Sequence, residues 1–506
     1  MKSRFTPNRT LAELARTVSG AQIVGSAETV PTGLAYDSRR VQPGFLFVAV
    51  PGEKFDGHTF IPQVCEAGAG AIVVQADRAK ELTQLGVPCI VVPEARKALA
   101  PLACAFYGNP THSLYLAGVT GTNGKTTTTL LIDAIAQAHG DITGTVGTLG
   151  ATVAGKELPG ERTTPEAPDL QELFALMFDA GATSAAMEVA SHALVLGRTD
   201  GCAFDVGVFT NLTQDHLDFH GTMEAYRDAK GILFTDYADT AQHIGKTYTA
   251  VLNIGDDAGR HYAKVTRANS ILTYTLAGSA DIIPENVVLA VDRITYTAKT
   301  PIGNIPVHLG FGGNFNVANS LAAVGYGVAR GLSVETIAEG LAKSRPVPGR
   351  FQPVRAGQEF AVLVDYAHTP DGLENVLRSA RPLTQGRLIV VFGCGGNRDK
   401  TKRPRMGKLA LDLADVAVVT SDNPRREDPE AILDDILAGM QEPGAEIHRE
   451  VDRRKAIALA VGLAKPGDVV VIAGKGHENY QIIGEQTFPF DDVTVAEEEI
   501  RQCLSA

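Results

Sequence analysis

A run of small and polar residues closes on a lysine at Thr120-Gly121-Thr122-Asn123-Gly124-Lys125-Thr126-Thr127, directly after the apolar stretch 114–119. Glycines let backbone N–H groups curl around phosphate, Lys125 adds a positive charge, and the Thr126 hydroxyl can sit on Mg²⁺. Val119 stands where the longer G-x-x-x-x-G-K-[ST] loop wants glycine, so the match is to the shorter G-x-x-G-K-T form. Two more apolar runs end in polar chemistry. Ala185-Ala186-Met187 precedes Glu188, and Val206-Gly207-Val208-Phe209 precedes Asp215, His216, Asp218 and His220. Carboxylate oxygen and imidazole nitrogen together can hold Mg²⁺ or Mn²⁺ beside a nucleotide. Each motif is weak alone; three converging strand ends, one of them phosphate-binding, favour a metal–nucleotide site.

Lys230 falls four residues after Tyr226 and three before Leu233, which puts it on the apolar stripe of a predicted helix. The plainer reading is a buried stem with the ammonium at the rim. A buried lysine can instead lower its pKa and turn nucleophilic, and such an amine can react with CO₂ to form a carbamate, an anionic metal ligand. Asn316 and Asn319 share one helical face, where their amides can read an adenine edge or cap a helix. Further on, Asp365-Tyr366-Ala367-His368-Thr369-Pro370, Gly393 to Lys400, Asp422-Asn423-Pro424-Arg425 and Gly474-Lys475-Gly476-His477-Glu478 each follow an apolar run. Asp365 can hold a ribose hydroxyl, and Arg398 and Arg425 can fork onto carboxylates.

The elements that must carry these residues alternate strand and helix. Strands are predicted at 45–50, 71–74, 114–119, 361–364, 388–392, 416–420 and 469–473, with a helix over 61–67 and an inserted sheet between 251 and 307. Such alternation predicts an α/β fold with parallel sheets and right-handed crossovers, whose ligands gather at the carboxyl ends of the strands. Breaks near Tyr107-Gly108-Asn109-Pro110 and Arg345-Pro346-Val347-Pro348 divide 506 residues into segments 1–108, 109–345 and 346–506. The net charge of −12 argues against a nucleic-acid binder, while a local basic pocket still admits anionic substrates. Six cysteines form no C-x-x-C pair, residues 1–7 are polar, and no apolar run reaches membrane-spanning length. The expectation is a cytoplasmic protein that binds neither nucleic acid nor membrane.

Together the motifs closely resemble the Mur ligases, the ATP-dependent amide-forming enzymes of peptidoglycan precursor assembly, over nearly the whole chain. The Thr120–Thr127 loop marks the wider family, which includes folylpolyglutamate synthases. Thr163-Thr164-Pro165, Phe209 to Gly221, Tyr366 to Asp371 and Gly474 to Gln481 look like the branch that adds the third residue. Asp422-Asn423-Pro424-Arg425 resembles its meso-diaminopimelate-adding form. The resemblance implies three domains: a small α/β UDP-substrate domain, a central P-loop ATPase and a C-terminal Rossmann-like domain. It implies ATP contacts at Gly121, Thr122, Asn123, Gly124, Lys125, Thr126, Thr127, Asn316 and Asp365, with Arg350 on a phosphate. Mg²⁺ would be held by Thr126, Glu188, His216 and a carbamate on Lys230. Ser38, Arg39, Thr163, Thr164, Ala190, Leu196 and Arg198 match positions around the UDP-N-acetylmuramoyl-L-alanyl-D-glutamate substrate. Arg398, Asp422, Asn423, Pro424, Arg425, Gly474 and Glu478 match the diaminopimelate pocket.

Three positions depart from the pattern. Ala190 stands where many members have serine, Leu196 where a polar residue is common, and Asn397 where aspartate is common. The implied catalyst is a monomer that makes an acyl phosphate and passes it to an amine. A lysine-adding or folylpolyglutamate-type ligase, and a P-loop switch without ligase chemistry, are the competing readings.

Overall fold

Among the described residues, buried apolar runs and the glycine-rich turns between them build five sheets. The computed structural model describes residues 8–52, 55–79, 86–160 and 162–505; the polar segment 1–7 lies outside them. The chain divides into two units. One holds the residues up to Ile283 with Thr300–Gly303 and Asn319–Gly340; the other holds Pro284–Lys299, Asn304–Ala318 and the chain from Leu341 onward.

The first unit contains two sheets. Strands β1 (Gln22–Val24), β2 (Gly33–Ala35), β3 (Phe45–Val48), β4 (Ala71–Gln75) and β5 (Cys89–Val92) pair in the order β1-β5-β4-β3-β2, with only β1 antiparallel. The larger sheet contains β6 (Tyr115–Thr120), β7 (Thr143–Gly147), β8 (Gly150–Val153), β9 (Lys156–Leu158), β10 (Ser184–Glu188), β11 (Val206–Phe209), β12 (Thr249–Asn253) and β13 (Ser270–Tyr274). Its order is β13-β12-β11-β6-β10-β7-β8-β9, parallel from β13 to β7. β10 and β11 are buried along their whole length, as expected of parallel strands covered on both faces. They flank β6, so the phosphate loop, Glu188 and the His216 loop leave one sheet edge side by side. The helix Ala167–Asp179 packs on the helix Ala95–Phe106 and gives Ala167 and Ala175 to the core of the first sheet.

Strands β14 (Ile283–Leu289), β15 (Ile294–Thr300) and β16 (Gly303–Leu309) form a separate sheet in the later part of the predicted insertion; its earlier part, β12 and β13, pairs into the larger sheet instead. In the second unit β17 (Gln352–Val354), β18 (Ala361–Asp365), β19 (Leu388–Phe392), β20 (Val416–Val419), β21 (Glu446–Arg449) and β22 (Val469–Ala473) follow the order β17-β18-β22-β19-β20-β21. All but β17 are parallel. Asp365, Gly393, Thr420 and Gly474 therefore stand at, or one residue past, the carboxyl ends of four adjacent strands. A hairpin of β23 (Tyr480–Ile483) and β24 (Gln486–Pro489) closes over that edge. Among the described residues no helix is long and apolar enough to cross a membrane, and all six cysteines are free thiols.

Candidate active site

The phosphate loop is clamped by the segment that follows β11. Thr122 N–H donates to the Asn211 carbonyl at 2.8 Å and Asn123 N–H to Asn211 Oδ1 at 3.0 Å. Thr213 N–H donates to Thr122 Oγ1 at 3.0 Å, and Thr210 Oγ1 to the Asn123 carbonyl at 2.6 Å. Gly121 and Gly124 have φ of 153° and 85°. A Cβ on either would meet Thr210 Oγ1 at 1.9 Å or Asn319 Oδ1 at 2.2 Å, so both positions require glycine. The loop opens the helix Lys125–Ala138, in which Thr126 and Thr127 are buried.

Two lysines meet on one carbonyl. Lys125 Nζ donates to Gly121 O at 3.0 Å and Thr122 O at 2.8 Å; Lys230 Nζ donates to the same Gly121 O at 2.8 Å. Lys230 is 1% exposed and lies 4.5 Å over the Tyr226 ring. Its amine therefore does not reach the rim, as the helical pattern alone would favour, because the helix Met223–Gly231 points it under the phosphate loop. Burial first, then the Lys125 charge, push its pKa well below the ordinary lysine value. The shift favours the neutral amine, the form that can add CO₂.

Glu188 is 1% exposed. Its Oε1 accepts from Thr148 N–H at 2.8 Å and its Oε2 from Thr148 Oγ1 at 3.1 Å; among the described residues no cation pairs with it. A buried carboxylate with spare lone pairs and no counter-charge suits a hard divalent cation, so the site's chemistry fits Mg²⁺. Among the described residues no three His, Cys, Asp or Glu side chains gather for a metal, so such an ion would rely on hydroxyl, phosphate or carbamate oxygens as well. His216 adopts a left-handed φ of 52° and is exposed beside Asp215. Its ring lies 4.7 Å from that of His192 and 6.0 Å from Tyr226; His192 in turn lies 5.3 Å from His220. Burial lowers all three imidazole pKa values, that of His220 to about 4. The sequence groups His216 with His220 in one loop; the structure adds His192, from the short helix Ser191–Val195 that follows Glu188.

The residues matched to the UDP substrate fall in two groups. Ser38 and Arg39 lie in a 3₁₀ turn capped by Asp37, with Arg39 exposed and folded back on Asp37 at 2.6 Å. It is Arg40, with Tyr36, that engages Asp169 of the Ala167–Asp179 helix. Thr164 Oγ1 donates to the Glu188 carbonyl at 2.8 Å and accepts from Ala190 N–H at 3.1 Å, while Thr163 Oγ1 meets Thr148 Oγ1 at 3.1 Å. Arg198 is aimed at Thr164 O and Glu166, and Leu196 caps the short helix Ser191–Val195 that begins after Ala190.

In the second unit Arg350 lies 4.9 Å over the Tyr366 ring, beside Asp365, which accepts from Phe351 N–H at 2.7 Å. Burial raises the Asp365 carboxyl pKa, with Arg350 opposing. Asn316 is buried in the helix Phe315–Ala329 and turns its amide onto the Gly312 carbonyl at 2.8 Å.

Asn423 is the hub of the last pocket. Its Oδ1 accepts from Lys475 Nζ at 3.1 Å and Ile482 N–H at 2.9 Å, which turns its Nδ2 onto Glu478 Oε2 at 2.8 Å. Arg425 has a left-handed φ of 54° and bridges to the β23 strand through Ile482 O at 3.0 Å. Its guanidinium reaches the Gly396 carbonyl at 3.0 Å, and a cavity of about 520 Å³ lined by Asn397, Arg425, Arg426, Ile482, Gly484 and Glu485 opens there. Pro424 is buried, and Arg398 is exposed without an ionic partner among the described residues. Asp422 is 6% exposed beside Gly474; burial and the Asp422 charge raise the Glu478 pKa. Two acids and a forked cation gathered about Asn423 can take an ammonium and a carboxylate together. Beneath them Arg453, not singled out from sequence, forks onto Asp492 at 2.7 and 2.8 Å and donates to the Ala473 carbonyl at 3.1 Å.

Three family models match successive stretches: Mur ligase family, catalytic domain, over residues 31–107; Mur ligase middle domain over 119–327; and Mur ligase, glutamate ligase domain, over 349–476. The chain belongs to the Mur ligase family. It is 48% identical to the UDP-N-acetylmuramoyl-L-alanyl-D-glutamate–2,6-diaminopimelate ligase of Bacillus licheniformis over 469 residues, covering 93% of this chain and 94% of that one. The enzyme of the same name from Gloeobacter violaceus is 48% identical, covering 94% of each chain. A solved structure of a ligase of that name, 33% identical, superposes with a TM-score of 0.70 over 98% of this chain and 99% of its own.

Proposed function

We propose that the chain joins meso-diaminopimelate to the D-glutamyl carboxylate of UDP-N-acetylmuramoyl-L-alanyl-D-glutamate, using ATP and an acyl phosphate, in peptidoglycan precursor synthesis. We divide it into a UDP-substrate domain (1–108), an ATPase domain (109–345) and an amino-acid domain (346–506), working as a monomer in the cytoplasm. The observation that carries the choice of amine is the pocket of Asp422, Asn423, Arg425, Gly474 and Glu478 after β20 and β22, the two strands that flank β19. It supports a ligand whose far end bears both an ammonium and a carboxylate, as diaminopimelate does and lysine does not.

A glutamyl carboxylate oxygen attacks the γ-phosphorus of ATP, ADP leaves, and an acyl phosphate forms. Activation is needed because a carboxylate is a poor electrophile. Lys125 and Arg350 offset the charge that builds on the phosphoryl oxygens. Gly121 to Thr127 cradle the phosphates, Asn316 and Asp365 take the adenine and ribose, and Ser38, Arg39, Thr163, Thr164 and Arg198 hold the UDP substrate. Mg²⁺ held by Thr126, Glu188 and His216, with Lys230 as a carbamate, would supply further charge neutralisation when bound. The diaminopimelate amine then attacks the acyl carbonyl; the tetrahedral intermediate expels phosphate and the nitrogen loses its proton.

The test is phosphate release with UDP-muramoyl dipeptide, ATP and a panel of amines. Release should depend on the dipeptide and on meso-diaminopimelate together. Slow ATP hydrolysis indifferent to both substrates would make the chain a nucleotide switch instead.

A further inference from the structure

Three guanidiniums converge on one buried carboxylate in the first unit. Arg96 Nη1 lies 2.7 Å from Glu166 Oε2; Arg162 Nη1 lies 3.1 Å and Arg198 Nε 3.0 Å from Glu166 Oε1. The Glu166 side chain is 5% exposed, against 35%, 53% and 13% for Arg96, Arg162 and Arg198. Three positive charges thus share one negative charge, and like charges this close repel unless an anion joins them. The Arg198 Nε contact is off the line of a hydrogen bond, leaving that buried donor unsatisfied. Most donors of the three forks have no protein partner among the described residues. Glu166 also sits at the N-cap of the Ala167–Asp179 helix yet makes no capping hydrogen bond there, so its oxygens are committed to the arginines while the helix terminus adds positive potential.

The surroundings identify the anion. Arg198 donates to the Thr164 carbonyl at 3.4 Å, and the Thr164 hydroxyl is bonded to the backbone of Glu188 and Ala190. The cluster therefore borders the place where, on the reading above, the glutamyl residue is activated. An amide-linked glutamyl residue carries two carboxylates, one of which reacts while the other stays ionised. We propose that Arg96 and Arg162 join Arg198 as the receptor for the non-reacting carboxylate, with Glu166 the positioning residue that holds the three guanidiniums together. Arg96 comes from the helix Ala95–Phe106, so this receptor also ties the first sheet to substrate recognition.

The test compares the UDP-muramoyl dipeptide with its analogue in which the non-reacting carboxylate is a carboxamide. Binding to the full chain is measured by calorimetry, and KM and kcat by phosphate release. The wild type should bind the carboxamide on the order of ten- to a hundredfold more weakly, the loss of a charged hydrogen-bond partner. Arg96→Ala and Arg162→Ala should each weaken dipeptide binding about tenfold yet change carboxamide binding by less than about twofold, so discrimination shrinks. Arg162→Lys should recover part of it. Glu166→Gln should raise KM for the dipeptide while keeping kcat at saturation and ATP affinity. Should Arg96→Ala not fold, the more exposed Arg162 carries the comparison. Equal wild-type binding of both compounds, or variants that weaken both alike, would overturn the receptor; an unchanged KM in Glu166→Gln would overturn the positioning role. An active wild type without discrimination sinks this inference alone, whereas no ligation of diaminopimelate at all sinks the functional reading with it.

Discussion

The phosphate-loop site and the Asn423 pocket lie at the carboxyl ends of parallel strands, but their polar groups are balanced in opposite ways. Around Gly121 two lysines crowd one carbonyl, and Glu188 is buried without a counter-charge. Such a site carries unbalanced charge, which on the proposed reading phosphate and a cation would offset. In the Asn423 pocket the central groups are already tied together: Lys475 and Ile482 fix the amide, Asn423 fixes Glu478, and Arg453 with Asp492 braces the strand ends. The contrast separates two tasks. Driving phosphoryl transfer needs charge that is stabilised only when the reactants arrive; choosing one amino acid needs a rigid frame already in place.

The comparison can be broken at four points. Arg453→Met removes one partner of an ion pair that is 0% exposed on both sides, and should destabilise the second unit by about 3–5 kcal/mol. Chemical denaturation would show it. The Arg453→Met/Asp492→Leu double variant should recover much of that loss. A single variant of wild-type stability would mean that the frame is not rigid there. Next, Lys230→Ala should lower turnover on the order of 10²–10³-fold, in the range of losing one preorganised charge-stabilising group, while ATP binding is largely kept. Full activity in CO₂-depleted buffer, with a bare amine at Lys230 in a nucleotide complex, would remove the carbamate from the mechanism.

Arg425→Ala tests the frame's selectivity. The preference for meso-diaminopimelate over L-lysine in kcat/KM should fall roughly ten- to a hundredfold, with UDP-substrate and ATP affinities little changed. Unchanged discrimination would move selection to another residue. The smallest effect concerns pH. Burial, then Arg350 and His368, lower the His477 pKa from 6.5 to about 4, so the unfolded chain takes up this proton first. The stability it lends is present above pH 6.5 and is lost as pH falls toward about 4. His477→Gln should flatten that slope in acid denaturation; an identical slope would show that His477 does not contribute.

Much of the fold was legible because it follows from local pattern. Apolar runs such as 206–209 and 469–473 become buried strands, and the later part of the predicted insertion forms a separate sheet at 283–309 while 249–274 joins the larger one. The left-handed backbone of several site residues was not legible. Among the described residues seven non-glycine positions have positive φ, and four of them, His216, Phe351, Asn397 and Arg425, lie in or beside the candidate loops. Only surrounding contacts can hold a side chain there, so no local preference announces them. Asn397 is a residue that tolerates that conformation well, and its Oδ1 accepts from Arg426 N–H at 3.1 Å.

The sequence by itself determined which loops follow which strands, because glycine, alternation and apolar runs act within a few residues. It thereby placed Lys125, Glu188, Asp365 and Asp422 at strand ends. Which of these loops become neighbours was decided by sheet order, with β10 and β11 flanking β6 and β18, β22, β19 and β20 side by side. Tertiary structure alone brought Lys230 onto a carbonyl 109 residues away and Arg96 onto a carboxylate 70 residues away. The reason is physical: burial and charge pairing depend on what surrounds an atom in space, and a helical stripe shows that Lys230 faces inward without showing what it meets.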